Sequence, residues 1–238
     1  MTDNSDSPAE RLDRVQRQII NALLQSERPI DGAELLAVSK TRTADDILTL
    51  YRLGQRRFGE NYLQEALQKM AALTAYDIEW HFIGPIQSNK TREIANHFSW
   101  VHSVDRLKVA RRLNEQRPEG LPPLNICLQV NVSEEQSKSG CSLEELPKLA
   151  DEIVKLPHLQ LRGLMAIPAP GVDFAQQRQP FRALREALER LNASGHHLDT
   201  LSMGMSADLN AAIAEGATLV RIGTALFGPR TLAQDPLP

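Results

Sequence analysis

Ala33-Glu34-Leu35-Leu36-Ala37-Val38-Ser39-Lys40 is the stretch of sequence from which the fold and the site can be predicted. Its apolar residues suffice for one short buried strand, bounded by turn-forming residues on both sides. A lysine where such a strand ends either reaches back into water or remains partly buried as a neutral, nucleophilic amine. A neutral amine attacks carbonyl groups and forms Schiff bases. Lys40 is therefore the first candidate functional residue.

Strand and helix patterns alternate along the chain around this first strand. An amphipathic helix over residues 8–25 precedes it, and further helices alternate with apolar strands. The predicted strands cover residues 33–39, 57–59, 78–83, 100–104, 124–132, 159–167, 200–203 and 218–222. The predicted helices between them cover residues 44–53, 63–73, 88–97, 105–116, 142–156, 174–193 and 208–215. We expect Asp105 to cap one of these helices, and Ser142 with Glu145 to form a capping box at another.

This alternation predicts an α/β fold with a parallel sheet, because each crossover between parallel strands needs a helix. Eight units in a chain of 238 residues favour a single closed (β/α)8 TIM barrel with an extra N-terminal helix. An open doubly wound sheet is the alternative. The expected domains are a disordered tail over residues 1–7, the barrel over residues 8–230, and a C-terminal tail over residues 231–238.

Composition and charge narrow the function classes. The net charge of -3 gives no electrostatic case for binding nucleic acid or an anionic membrane. Two cysteines, Cys127 and Cys141, are too few for a disulfide framework and lack the spacing of a metal site. The polar, acidic N-terminus has no signal-peptide core, and no stretch is long and apolar enough to span a membrane. We therefore expect a cytoplasmic protein with reduced thiols and no bound metal.

In a barrel of this kind, functional residues collect at the carboxyl ends of the strands. Polar and reactive residues spread over the whole sequence are expected to meet there. The candidates at the strand ends are Lys40, Glu60, Asn61, His81, Asn131, Met165, Ser202, Met203, Ser206, Arg221, Gly223 and Thr224.

The loops after the last two strands carry a phosphate-binding signal. Residues 202–206 lead from a strand to a helix N-terminus, and residues 221–224 follow the final strand. In TIM barrels these loops recurrently bind phosphate through backbone N–H groups and a helix dipole. Ser206 and Thr224 add hydroxyl donors. The alternative interpretation is that the glycines only make tight turns.

Arg221 is predicted to point into the barrel, because its neighbours Val220 and Ile222 point the other way, towards the helices. A permanent cation there suits the ring nitrogen of a pyridine, which it keeps unprotonated. The alternative is a surface ion pair. A reactive lysine, a phosphate site and this cation together describe a site for pyridoxal 5′-phosphate (PLP).

Six motifs follow one another in order through residues 33–228. They are Ala37-Val38-Ser39-Lys40-Thr41, Phe58-Gly59-Glu60-Asn61-Tyr62, residues 81–90 (HFIGPIQSNK), Ser137-Lys138-Ser139-Gly140, residues 202–208 (SMGMSAD) and Arg221-Ile222-Gly223-Thr224. Together they resemble the motifs of the PLP homeostasis proteins, the YggS/PROSC family. Arg42 departs from the pattern, since a lysine is common there in bacterial relatives. An arginine cannot serve as a second Schiff-base site.

The resemblance implies a fold like the N-terminal barrel of alanine racemase and a cofactor held on Lys40 as a Schiff base. It further implies a phosphate site at Ser206, Gly223 and Thr224, with Asn61 and Met205 nearby and Arg221 at the ring nitrogen. Proteins of this family bind, carry or buffer PLP in vitamin B6 and amino-acid homeostasis. The implied partners are PLP and PLP-dependent apoenzymes.

Four residues are secondary candidates. Lys138 lies in a flexible loop and is either a solvated lysine or a transient PLP acceptor. His81 and Tyr62 are either proton-transfer groups or packed polar residues. Glu60 is a candidate for orienting Lys40.

Two function classes remain, a PLP carrier without turnover and a PLP-dependent racemase-like enzyme. A racemase needs a base on each face of its substrate, and barrel racemases take the second from an extra β domain and a neighbouring subunit. Ten residues follow Gly228, so we expect no such domain. Without it, we expect a monomer that acts as a carrier. A Schiff-base aldolase without cofactor would use the same lysine but would leave Arg221 without a role.

Overall fold

Eight parallel strands close into a barrel in the computed structural model, which describes residues 6–133 and 139–229. The strands are β1 (Glu34–Val38), β2 (Arg57–Glu60), β3 (Glu79–Phe82), β4 (Trp100–Val104), β5 (Leu124–Gln129), β6 (Leu159–Met165), β7 (Thr200–Ser202) and β8 (Leu219–Ile222). The helices are α1 (Pro8–Gln25), α2 (Ala44–Arg52), α3 (Leu63–Ala72), α4 (Thr91–His97), α5 (Leu107–Gln116), α6 (Leu146–Ile153), α7 (Phe174–Ala193), α8 (Leu209–Ala214) and α9 (Thr224–Phe227).

The strand order confirms the predicted TIM barrel and excludes the open sheet. Each strand pairs in parallel with its sequence neighbours, and β1 closes the barrel on β8. At this seam Leu36 lies opposite Arg221, and Ala37 opposite Ile222. The carboxyl ends of all strands therefore form one mouth of the barrel, and their first residues form the opposite end.

The predicted extra helix α1 forms over Pro8–Gln25. Ser7 and Glu10 make a capping box at its start, and its buried face includes Leu12 and Leu23. The helix packs against α8 and α9, where Arg11 Nε donates to Leu226 O at 2.7 Å. This contact fixes the short helix that follows the last strand.

The two faces of the strands differ in composition. Outward-facing residues such as Val220 and Ile222 join the main apolar core under the helices. Inward-facing positions carry smaller apolar clusters, one of them built on Leu36, and several buried polar residues. The barrel interior is thus polar in part, whereas branched apolar residues usually fill it.

Some predicted helix starts are wrong. Asp105 does not cap α5, because its carboxylate binds the Arg106 side chain at 2.6 Å and Arg106 is the N-cap residue. The Ser142–Glu145 capping box forms, with Glu145 N donating to Ser142 Oγ at 3.1 Å. The regular helix nevertheless begins only at Leu146, where Pro147 occupies the first turn.

Other predicted boundaries shift as well. The helix predicted from residue 88 begins at Thr91, and the fifth strand ends at Gln129, three residues before its predicted end.

Within residues 6–133 and 139–229, no helix has the length and apolar character needed to cross a bilayer. Lys138 and the predicted tail over residues 231–238 lie outside the described residues, as do residues 1–5.

Candidate functional site

A cavity of about 400 Å³ opens at the mouth of the barrel, within the size range of small-molecule sites. All seven residues predicted to bind the cofactor line it. The lining consists of Val38, Lys40, Arg42, Asn61, Ile83, Ile167, Met205, Ser206, Ala207, Arg221, Gly223 and Thr224. These residues come from the ends of β1, β2, β3, β6, β7 and β8, so barrel closure brings distant parts of the sequence together.

Arg221 forms the floor of this cavity from inside the barrel. Its side chain is buried, and Nη1 donates to Ser202 O at 2.6 Å and to Ser202 Oγ at 2.8 Å. Nη2 donates to Ala166 O at 2.9 Å. Burial lowers the pKa of Arg221 to about 10, so the side chain remains a cation at neutral pH. Its orientation agrees with the strand alternation in the sequence.

Both loops predicted to bind phosphate contribute residues to the cavity lining. Among the described residues, no acceptor pairs with the N–H groups of Ser206, Ala207, Gly223 or Thr224. These N–H groups and the hydroxyls of Ser206 and Thr224 are donors that an anion can use. Gly204 permits the turn with a φ of +94°.

Side chains of helix α3 hydrogen-bond to the backbone on both sides of Lys40. Lys69 Nζ donates to Ser39 O at 2.7 Å, on one side of Lys40. Glu65 Oε1 accepts from Thr41 N at 2.6 Å, on the other side, and also pairs with Lys69. Thr41 has a φ of +61°, which is costly for a residue other than glycine unless neighbouring contacts hold it.

Glu60 forms a polar cluster with Lys69 and Glu65 at the end of β1. Its Oε1 accepts from Lys69 Nζ at 2.8 Å and from Ser39 Oγ at 2.6 Å. The side chain is fully buried, and burial raises the pKa of Glu60, against the opposing effect of Lys69. Glu60 thus contacts the residue before Lys40, whereas the Lys69 and Glu65 contacts are not expected from the sequence.

The secondary candidates His81 and Tyr62 do not line the cavity. Tyr62 is half exposed at the start of α3. His81 is buried inside the barrel, where its ring stacks on Trp100 with centroids 5.4 Å apart. Its Nδ1 lies 2.9 Å from His102 Nε2, and its Nε2 lies 2.8 Å from Glu79 Oε1. His81 therefore belongs to a buried hydrogen-bonded group below the mouth.

The two buried histidines predict a loss of stability in acid. Burial lowers the pKa of His81, and lowers that of His102 well below its ordinary value. In the unfolded chain both pKa values return to about 6.5, so the unfolded state binds more protons below that pH. The free energy of unfolding should therefore fall as the pH drops from about 6.5, by up to about 1.4 kcal/mol per histidine per pH unit.

Urea denaturation at a series of pH values measures this effect. Above about pH 7 the histidines should contribute no slope, since both states then hold them neutral. A free energy of unfolding that stays constant or rises as the pH drops from about 6.5 to about 5.5 would contradict a buried, neutral pair of histidines.

The residues that line the cavity fit PLP. Asn61 Oδ1 is buried and has no hydrogen-bond partner among the described residues, so it can accept from a bound ligand. Gly84 lets the backbone approach Asn61 closely, because a Cβ atom there would lie 2.2 Å from Asn61 O. A primary amine, two loops with backbone and hydroxyl donors, and a buried cation match an aldehyde, a phosphate and a ring nitrogen.

Comparisons with known proteins match nearly the whole chain. The alanine racemase N-terminal domain family matches residues 12–231. A pyridoxal phosphate homeostasis protein from Pseudomonas aeruginosa is 61% identical over 93% of this chain and 95% of its own length. A protein of the same name from Escherichia coli is 50% identical over 93% of this chain and 96% of its own length.

Solved structures share the fold. PipY of Synechococcus elongatus, solved with PLP bound, has a TM-score of 0.81 and 39% identity, and the match covers 93% of this chain and all of PipY. The same protein without PLP gives a TM-score of 0.83. Alanine racemase of Corynebacterium glutamicum gives a TM-score of 0.67 at 18% identity, over 92% of this chain and 62% of its own, which shows a shared fold alone.

Proposed function

Because the chain belongs to the alanine racemase N-terminal domain family, and within it to the pyridoxal phosphate homeostasis proteins, we propose that it binds PLP. The structure of PipY with PLP bound supports this choice of ligand. In the proposal, the protein holds PLP as a Schiff base on Lys40 and takes part in intracellular vitamin B6 homeostasis through storage, delivery or regulation of amino-acid metabolism.

The proposal gives each group around the cavity one role. Lys40 supplies the amine for the aldehyde, while Ser206, Gly223 and Thr224 bind the phosphate through hydroxyl and backbone donors. Arg221 faces the ring nitrogen, and Asn61 and Met205 contact the ring or its substituents. When bound, PLP supplies a reactive aldehyde on a phosphate handle. The observation that carries the proposal is that one cavity collects all seven residues.

A carrier fits the described lining better than a racemase. The ionisable side chains in that lining are Lys40, Arg42 and Arg221. Arginine side chains keep their protons, so Lys40 is the proton acceptor that the described lining offers. Two-base racemisation requires an acceptor on each face of the substrate. The names of the curated relatives, which describe homeostasis, support the same choice.

The proposal extends to the cellular setting. Cys127 and Cys141 are free and buried, as suits a reducing compartment, so we place the protein in the cytoplasm. We propose a monomer that exchanges PLP with PLP-dependent apoenzymes. Lys138, outside the described residues, is the proposed transient acceptor during loading or release.

An absorption spectrum with and without added PLP tests the proposal. The loaded protein should show a visible band that neither the protein nor free PLP alone produces at the same position. A protein that remains colourless would contradict PLP binding and would favour a cofactor-free Schiff-base aldolase. Incubation of the loaded protein with alanine in D2O should leave the α-proton in place. Rapid exchange of that proton would instead favour the racemase-like alternative.

A further inference from the structure

A chain of hydrogen bonds crosses the barrel from its opposite end to Arg221. It begins at Glu79 on the first position of β3, whose Oε1 lies 2.8 Å from His81 Nε2. His81 Nδ1 lies 2.9 Å from His102 Nε2, and His102 Nδ1 lies 2.7 Å from Ser202 Oγ. Ser202 Oγ accepts from Arg221 Nη1 at 2.8 Å. The four contacts connect side chains from β3, β4, β7 and β8.

The chemistry of the two ends, with both histidine rings neutral, fixes the direction of every bond. Burial lowers the pKa of His81 and of His102, which favours neutral rings. Arg221 can only donate, so Ser202 Oγ accepts from it. The Glu79 carboxylate can only accept, so His81 carries its proton on Nε2. His81 Nδ1 is then an acceptor, to which His102 Nε2–H donates. His102 Nδ1 therefore carries no proton and accepts from the Ser202 hydroxyl. Both histidines are neutral and both are the Nε2–H tautomer.

Such a chain is costly to bury unless each group is satisfied. His81, His102 and Ser202 have no exposed surface, and an unpaired buried polar group costs about 1–3 kcal/mol. In this arrangement no hydrogen-bonding nitrogen of either ring is left over. Aligned hydrogen bonds also polarise one another, so the carboxylate makes Ser202 Oγ a stronger acceptor for the arginine. The other hydrogen-bond partners of Arg221 among the described residues are neutral carbonyl oxygens, and the Asp208 carboxylate acts on Arg221 only through its charge.

We propose that Glu79, His81, His102 and Ser202 are positioning residues for Arg221, which they hold through a one-way chain of hydrogen bonds. This inference rests on the proposed function, in which Arg221 faces the ring nitrogen of PLP. The chain links a partly exposed carboxylate at one end of the barrel to the cofactor site at the other. Its effect is to fix the guanidinium plane and to offset part of its charge.

The tautomers of the two histidines test the chain without any ligand. Long-range 1H–15N spectra of the protein free of PLP, labelled with 15N-histidine, distinguish charged rings and the two neutral tautomers. Resonances absent from the His81→Gln and His102→Gln variants assign the signals. Both rings should be neutral Nε2–H forms at neutral pH. A charged ring or an Nδ1–H tautomer at either position would overturn the chain, whatever the protein binds.

Glu79→Gln and Ser202→Ala test the effect on the site. Each should shift the visible band of bound PLP. Ser202→Ala should weaken PLP binding by about fivefold, the loss expected for one hydrogen bond. Glu79→Gln removes the charge but keeps an acceptor for His81, so it should weaken PLP binding less. Glu34→Gln is the matched control, because Glu34 and Glu79 pair with the same arginine, Arg57, at 3.0 Å, but only Glu79 contacts a histidine. The control should keep the parent spectrum and affinity.

The outcomes separate the two claims. If the parent protein takes up PLP and both variants, folded by circular dichroism, keep its band and affinity, the positioning role is wrong and the proposed function stands. If the parent takes up no PLP, the proposed function fails and the positioning role fails with it, while the histidine spectra still decide whether the chain exists.

Discussion

Lys40→Ala should abolish the visible absorption band of the PLP-loaded protein and leave the barrel folded. The band requires a Schiff base, and alanine has no amine with which to form one. The fold should persist because the contacts that fasten this strand end use the backbone of Ser39 and Thr41. Absorption spectra after loading, together with thermal unfolding of both proteins, measure the two effects.

Matched variants make this test specific. Lys40→Arg keeps the positive charge and should lose the band as completely as the alanine variant. Lys108→Ala, on the exposed face of α5, should keep it. Lys138→Ala should also keep the equilibrium band and slow only loading or release. A band of parental strength in Lys40→Ala would assign the Schiff base to another lysine.

Lys69→Met should lower the free energy of unfolding by about 3 kcal/mol, the cost of leaving a buried charge without its partner. The ammonium is nearly inaccessible and contacts Ser39 O, Glu60 and Glu65. Without it, Glu60 remains fully buried and keeps only the bond from Ser39 Oγ. Since about 1 kcal/mol corresponds to 2–4 °C in a chain of this size, the melting temperature should fall by about 10 °C.

The double variant Lys69→Met with Glu60→Gln separates the buried charge from lost packing. Removing the carboxylate as well should restore part of the stability, because no unpaired charge then remains. PLP loading should stay slower or weaker in both variants, since the Lys69 contact to Ser39 O is missing and Glu65, which accepts from Thr41 N, has lost its partner Lys69. A melting temperature within about 2 °C of the parent for Lys69→Met would contradict the cluster as described.

Much of the architecture follows from the spacing of apolar residues. Helix α1, strand β4 and helix α7 have their predicted bounds, because long or strongly apolar segments have well-defined ends. Boundaries were less predictable where local contacts compete. Asp105 resembles a cap in sequence, but its carboxylate binds Arg106. Such a choice between neighbouring partners depends on side-chain positions that a sequence pattern does not contain.

The ring of residues at the mouth is predictable for a topological reason. Once the sheet is parallel and closed, the end of every strand lies on the same side, so Lys40, Arg221 and the residues after them must face one another. The supporting residues are harder to find. Glu65 and Lys69 are four apart on a helix, a spacing that usually marks an exposed ion pair. Only the approach of α3 to the end of β1 turns them into contacts with the Ser39 and Thr41 backbone.

The contacts of the buried histidine pair were also hard to predict from the sequence. His81 precedes the end of β3 by one residue, and the sequence predicted it near the mouth. The register instead sets it opposite Gly59 and Trp100, one layer lower. His102 could have been noticed, because it lies two residues after Trp100 and therefore on the same, inward face of β4. Its partner His81 lies on the neighbouring strand β3, but its partner Ser202 lies on β7, which only barrel closure brings within reach.

Borohydride reduction followed by peptide mass mapping tests the central claim most directly. Reduction converts a Schiff base into a stable secondary amine, which remains on its lysine through digestion. In the PLP-loaded protein the adduct should lie on Lys40 at close to one per chain, and reduction should bleach the visible band. A reduced adduct confined to another lysine, or a loaded protein that yields no adduct, would contradict it.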